Sequence, residues 1–156
     1  MHILFVCTGN TCRSPLAESI ARQIVLDRDL SGFEIKSAGT WANTNSPASD
    51  GSLLVALEQG LDLSAHRAQQ LTRGLVQWAD LILTMGSSHL NEARSLGGTG
   101  KSHLLAEFAS RGEDDRSISD PFGSDLPVYR ETFVELVHEI GNAFDRLVSE
   151  HQHRSV

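Results

Sequence analysis

The sequence predicts one α/β domain of three layers, a four-stranded parallel sheet of order 2-1-3-4 with helices on both faces. Three observations predict it. Short continuous apolar runs, Ile3 to Val6 and Leu81 to Leu83, have the composition of strands buried on both faces. Stretches with apolar residues every three or four positions alternate with such runs, and that alternation implies parallel strands joined by right-handed crossovers. A glycine-containing loop joins the first run directly to the first helical pattern, at the switch point where open sheets of this kind bind ligands. A chain of 156 residues, 40% of them hydrophobic, can fill one such core, so the domain is expected over 1–150 with a frayed tail over 151–156.

The first strand covers Met1 to Val6, and Cys7 ends it. Beyond Pro15, Leu16, Ile20 and Ile24, with Ala17, Ala21 and Val25 beside them, fall on one face, which predicts a helix from about Ser14. Ser14 reads as its cap and Pro15 as a first-turn residue, where a missing N–H costs nothing; Glu18 stands one place too late for a capping box. Leu30-Ser31-Gly32 breaks the pattern, and Phe33 to Ser37 alternates like a second strand running into a turn at Ala38-Gly39. Trp41 to Asp50, rich in Asn, Ser and Thr, is a long loop of the kind that often carries function. A helix follows to about Gln59, ended by Gly60. His66 to Leu71 reads as a turn, Gly74 to Ala79 as a short helix and Leu81 to Met85 as the third strand. A helix over Ser88 to Leu96, a flexible stretch from Gly97 to Gly100, a short fourth strand from Lys101 to Leu105 and a loop from about Ala109 to Leu126 come next. The last helix has the plainest stripe: Phe133, Leu136, Val137, Ile140, Phe144, Leu147 and Val148.

A formal net charge of −7 disfavours nucleic acid or an acidic membrane surface as partner. The N-terminal apolar run is too short for a signal peptide, and no stretch is long enough to span a bilayer, so a cytoplasmic chain is expected, and a monomer. Both cysteines, Cys7 and Cys12, lie in the first loop, which fits reactive chemistry in a reducing compartment better than a structural staple.

That loop is an oxyanion cradle in the making. The backbone N–H groups from Thr8 to Arg13 can turn inward as a nest, with the helix N-terminus adding positive potential. Gly9 and Asn10 are residue types that tolerate left-handed backbone, and the planar fork of Arg13 can hold two phosphoryl oxygens at once. Cys7, at the bottom of the cup among N–H dipoles and a guanidinium, is expected as a thiolate and nucleophile, and Ser14 can donate to its sulfur. The plainer alternative makes Cys7 a core thiol and Arg13 a surface charge. A nucleotide-binding P-loop is excluded, because Gly-x4-Gly-Lys-Ser/Thr is missing.

Cys7-x5-Arg13-Ser14-Pro15, embedded in Val-Cys-x-Gly-Asn-x-Cys-Arg-Ser-Pro after an N-terminal strand, resembles the low-molecular-weight protein tyrosine phosphatases. The family's downstream Asp-Pro motif is matched by Asp120-Pro121, so the resemblance spans the domain almost end to end. It implies phosphoryl transfer from a phosphorylated protein to Cys7, with Arg13 and the residues Thr8 to Ser14 holding the phosphoryl group. Asp120 would protonate the leaving group, then activate water to release inorganic phosphate. Neither cofactor nor metal is needed. Standing alone, Asp120 would be an ordinary turn aspartate before proline, and Glu113, Asp114 and Asp115 read as a solvated loop face. The resemblance also implies that Ser37 and His66 help hold Asn10 in its strained conformation.

Two residues keep two readings each. Cys12 either resolves an oxidised Cys7 as a disulfide or packs under the loop as a small residue, and Trp41 either lines the pocket mouth or forms a core edge. Substrate choice turns on Thr11 and Phe122. In the tyrosine-specific branch, as the resemblance implies, a bulkier aliphatic residue usually stands at the first position and tyrosine commonly follows Asp-Pro. Thr11 and Phe122 look more like the bacterial protein arginine phosphatases, so phosphoarginine is the expected substrate and phosphotyrosine the alternative. An arsenate reductase on this scaffold needs a further cysteine pair, and no cysteine follows position 12. A non-catalytic phosphate-binding module would not need Cys7 and Asp120 together.

Overall fold

Strand β1 (His2–Cys7) lies inside the parallel sheet of the computed structural model, between β2 (Glu34–Gly39) and β3 (Leu81–Thr84), with β4 (Ser102–Leu104) beyond β3. The order β2-β1-β3-β4 is the expected one. The structure describes residues 1–154, with side chains for 1–150, so the 151–156 tail lies outside the described side chains. Alternate residues of β1 enter opposite cores. Ile3 and Phe5 join Leu16, Ile20, Leu136 and Phe144 on one side, while Leu4 and Val6 join Val76, Ile82 and Ala93 on the other. Each of these Ile, Leu, Val and Phe side chains, fully buried, contributes roughly 1.5–3 kcal/mol. Helices α1 (Arg13–Asp27), α2 (Asp50–Glu58), α5 (Leu105–Ala109) and α6 (Leu126–Arg154) cover the first face, and α3 (Arg73–Trp78) and α4 (Ser87–Ala93) the second.

The chain leaves β1 for β2 on one side and returns to β3 on the other, so the loop after Cys7 occupies the crevice at the switch point. Gly39 lets that loop close down. It is the last residue of β2, in register with Cys7, and a Cβ there would overlap the Thr8 carbonyl and lie 2.9 Å from the Asn10 nitrogen. The turn expected at Ala38-Gly39 is therefore strand, pressed against the loop backbone.

Other boundaries moved for local reasons. Helix α1 begins at Arg13, and its cap position, Cys12, makes no side-chain capping bond; Ser14 is inside the helix because its hydroxyl turns toward Cys7 instead. Helix α2 is capped by Ser49 and ends in a Schellman turn, with Gly60 at φ 76° and Leu61 N–H donating to the Ala56 carbonyl at 2.8 Å. Beyond Ala93 the chain relaxes into a wider π turn, Arg94–Gly98, with Gly97 at φ 106°. The expected strand through Leu105 stops at Leu104, where α5 starts; the run Leu104-Leu105-Ala106 is apolar throughout and gives no period by which to separate the two.

Candidate active site

The loop from Thr8 to Cys12 is held by its carbonyls. Thr8 O accepts from Trp41 N–H at 2.9 Å, Thr11 O from Ser49 N–H at 2.9 Å, and Cys12 O from the Ser52 hydroxyl at 3.3 Å. Asn10 O accepts from His66 Nε2 at 2.7 Å, which fixes the proton on that ring nitrogen. A planar trans peptide points its N–H opposite its C=O, so carbonyls pulled outward send the N–H groups of Gly9, Thr11, Cys12 and Arg13 inward. The cradle follows from this geometry.

Asn10 takes φ 57°, the left-handed conformation expected of it. Its side chain is fully used: Nδ2 donates to Ser14 Oγ at 2.7 Å and Ser37 Oγ at 2.9 Å, and Oδ1 accepts from Gln69 N–H at 3.0 Å. Ser37 in turn donates to Glu18 Oε1 at 2.8 Å, and Glu18 is paired with Arg22 at 2.7 Å. Because Asn10 supplies a hydrogen to Ser14, the Ser14 O–H is free to donate to Cys7 Sγ, 2.9 Å away. Hydrogen bonds thus run outward from the Asn10 amide in two directions, through Ser37 to a surface ion pair and through Ser14 to the sulfur.

Arg13 is 6% exposed. Its Nη1 donates to the Ile118 carbonyl at 2.9 Å, its Nη2 lies 3.5 Å from Asp120 Oδ2, and its Nε is buried with no partner among the described residues. Asp120 is held from the other side, where Oδ1 accepts from Phe122 N–H at 3.0 Å, closing the aspartate turn that Pro121 stiffens. Cys7, Thr8, Gly9, Thr11, Cys12, Arg13, Asp120 and Phe122 line one cleft of about 190 Å³. Such a space takes the end of a side chain rather than a whole cofactor. Among the described residues no three His, Cys, Asp or Glu side chains gather as a metal site, and no helix is long and apolar enough to cross a membrane.

A family model described as low molecular weight phosphotyrosine protein phosphatase matches residues 2–153. The chain belongs to that family. Within this phosphatase family it is 39% identical to a protein-arginine-phosphatase of Geobacillus stearothermophilus over 156 residues, covering 96% of this chain and 97% of the relative. It is also 39% identical to the low molecular weight protein-tyrosine-phosphatase PtpB of Staphylococcus haemolyticus over 142 residues, with coverage of 90% and 96%. Among solved structures, the YwlE arginine phosphatase as a C7S mutant with phosphorylated active site serine superposes with a TM-score of 0.90 at 31% identity, covering 97% of this chain and 99% of that one. YwlE arginine phosphatase from Geobacillus stearothermophilus gives 0.88 at 37% identity, covering 97% and 96%.

The structure of this phosphatase-family chain brings together most of the residues singled out from its sequence, and adds four. Trp41 is not a core edge: it is 85% exposed, and its backbone N–H braces Thr8. Cys7 and Cys12 are free thiols, and Cys12 is buried with Sγ 3.3 Å from Ser49 Oγ and 3.5 Å from Tyr129 Oη. Burial first, and the Cys12 contact next, push the Tyr129 phenol up to about 12. Glu18, Gln69, Tyr129 and His89 were not legible as members of the site. Only Glu18 left a signal, an acidic residue on the first helix with no capping role.

Proposed function

We propose that the chain is a protein phosphatase that removes phosphate from phosphoarginine side chains of proteins through a phosphocysteine intermediate. The observation that carries this reading is the single cleft lined by Cys7, Arg13 and Asp120 together with the small hydroxyl residue Thr11. Cys7 thiolate, stabilised by the Ser14 hydroxyl, attacks phosphorus in line. The inward N–H groups and the free Nε of Arg13 take up the equatorial oxygens as charge builds on them. Asp120, reached through the cleft mouth, protonates the departing nitrogen and then removes a proton from the water that splits the phosphocysteine. Inorganic phosphate leaves and the thiolate is restored. No metal takes part in these steps.

Phosphoarginine is supported by Thr11, whose modest bulk beside the phosphorus leaves room for a planar phosphoguanidinium and whose hydroxyl can bond its nitrogens. It is also supported by the 39% identity to a protein-arginine-phosphatase along nearly the whole of both chains. Phosphotyrosine is the second reading, favoured by the exposed Phe122 ring at the cleft and by equal identity to PtpB. The proposal takes the protein as a cytoplasmic monomer, in keeping with two free thiols in the reactive loop, and gives Cys12 the role of resolving an oxidised Cys7. Cys7→Ser tests the core of the reading: turnover should drop at least about 10³-fold while phosphate binding remains. Substantial residual turnover would overturn it.

A further inference from the structure

His89 stands directly behind the cradle and has no part in the mechanism above. It is 3% exposed, its Nε2 lies 2.8 Å from Thr8 Oγ1, and its Nδ1 is buried with no partner among the described residues. Thr8 is exposed and lines the cleft beside Cys7, and its hydroxyl is the group that this buried ring hydrogen-bonds. The tautomer follows from the orphaned nitrogen. A buried N–H with nothing to bond is rarer and costlier than a buried lone pair in the same position, so the ring proton belongs on Nε2 and the bare lone pair on Nδ1. The imidazole is also neutral over the working range, since burial first, and the Arg13 charge next, hold it down to about 4. Nε2–H then donates to Thr8 Oγ1, and Thr8 must spend its single hydroxyl hydrogen elsewhere.

We propose that His89 is a positioning residue, which by donating to Thr8 Oγ1 turns the Thr8 hydroxyl into the cleft as a side-chain donor to a phosphoryl oxygen. The cradle of backbone N–H groups and Arg13 thereby gains one adjustable donor in the same cleft that Asp120 lines. The proposal rests on the phosphatase reading, and concerns how the same site holds its anion.

The test is inorganic phosphate affinity, measured as competitive inhibition and by direct titration, in wild type, Thr8→Val, His89→Phe, the double variant and His89→Gln. Each of the first two variants should weaken phosphate about tenfold, the double variant no more than either, and His89→Gln, whose amide N–H can still reach Thr8, should recover most of the loss. A purely structural histidine would lower thermal stability without this pattern. Thr8→Val is at an exposed position and keeps the question answerable if His89→Phe does not fold; unchanged phosphate affinity in Thr8→Val overturns the proposal. So do losses that multiply in the double variant, or ring nitrogen-15 shifts that place the His89 proton on Nδ1. A wild type that binds phosphate but hydrolyses no phosphoprotein would instead overturn the phosphatase reading, and the affinity pattern would still decide the role of His89.

Discussion

Arg13 Nη1 donates to the carbonyl of Ile118 at 2.9 Å, so the residue that closes the phosphate loop also anchors the segment that carries Asp120 two positions later. Ile118 is clamped on its other side as well, its N–H donating to Met85 O at 2.8 Å at the end of β3. Arg13→Lys keeps the charge and loses both the fork and this tether. It should lower kcat/KM by about 10²-fold, with the larger loss on substrates with poor leaving groups, because Asp120 is displaced together with the anion contacts. Steady-state kinetics across a leaving-group series checks this; a loss below threefold, or one independent of the leaving group, would contradict it.

Asn10 carries both strain and its remedy. Asn10→Ala leaves a β-carbon in the left-handed region without the bonds to Ser14, Ser37 and Gln69. The expected loss is about 3 kcal/mol, roughly 10 °C in Tm for a domain of this size. Asn10→Gly removes the same bonds and relieves the strain, so it should lie between wild type and Asn10→Ala in a thermal melt. Equal Tm values for the two variants would mean that φ 57° costs nothing here.

The neutral, buried His89 links stability to pH. Its folded value of about 4 lies below the ordinary 6.5, so between those two values the unfolded chain binds more protons than the folded one. Stability should therefore fall on acidification from 6.5 toward 4, by about 3 kcal/mol for this group. Urea melts of wild type and His89→Gln at pH 7 and pH 4 isolate the effect as a difference between the two proteins. A wild type no more acid-sensitive than the variant would contradict it.

Peroxide should oxidise Cys7 to a sulfenic acid, which the Cys12 thiol attacks to form a disulfide with loss of water, so that added thiol restores activity. Cys12 must leave its contacts with Ser49 and Tyr129 to do this. Cys12→Ser should react with peroxide as readily, but without the resolving thiol excess peroxide carries its Cys7 on to the sulfinic acid, and activity then fails to recover with thiol. Recovery equal to wild type would leave Cys12 a packing residue.

What was legible in the sequence was what a short stretch imposes on itself. The apolar β1, the loop from Cys7 to Arg13 and the stripe of α1 are local, and their order alone puts the loop at the switch point. Asn10 in the left-handed region was readable because few residue types go there. Its partners were not readable from spacing: Ser37 and His66 came from family resemblance, and Gln69, which donates to Asn10 from 59 positions away, came only from the structure. His89 and Tyr129 were hidden for the same reason, 81 and 117 positions from the loop residues they touch. A serine before proline fits a cap in isolation, but here Cys7 and Asn10 claim the Ser14 hydroxyl, and of its two expected roles only the contact with the sulfur is present. Trp41 is exposed because its segment is anchored through the backbone, which side-chain chemistry does not reveal.

Choice of phosphoarginine at this cysteine-based site is most directly tested by kcat/KM on matched phosphoarginine and phosphotyrosine peptides for wild type and Thr11→Ile side by side. Wild type should prefer phosphoarginine, and Thr11→Ile should lower that turnover about tenfold or more while sparing or raising turnover of phosphotyrosine. A wild type that already prefers phosphotyrosine, with the ratio unchanged in Thr11→Ile, would contradict the assignment and leave the chain a tyrosine phosphatase.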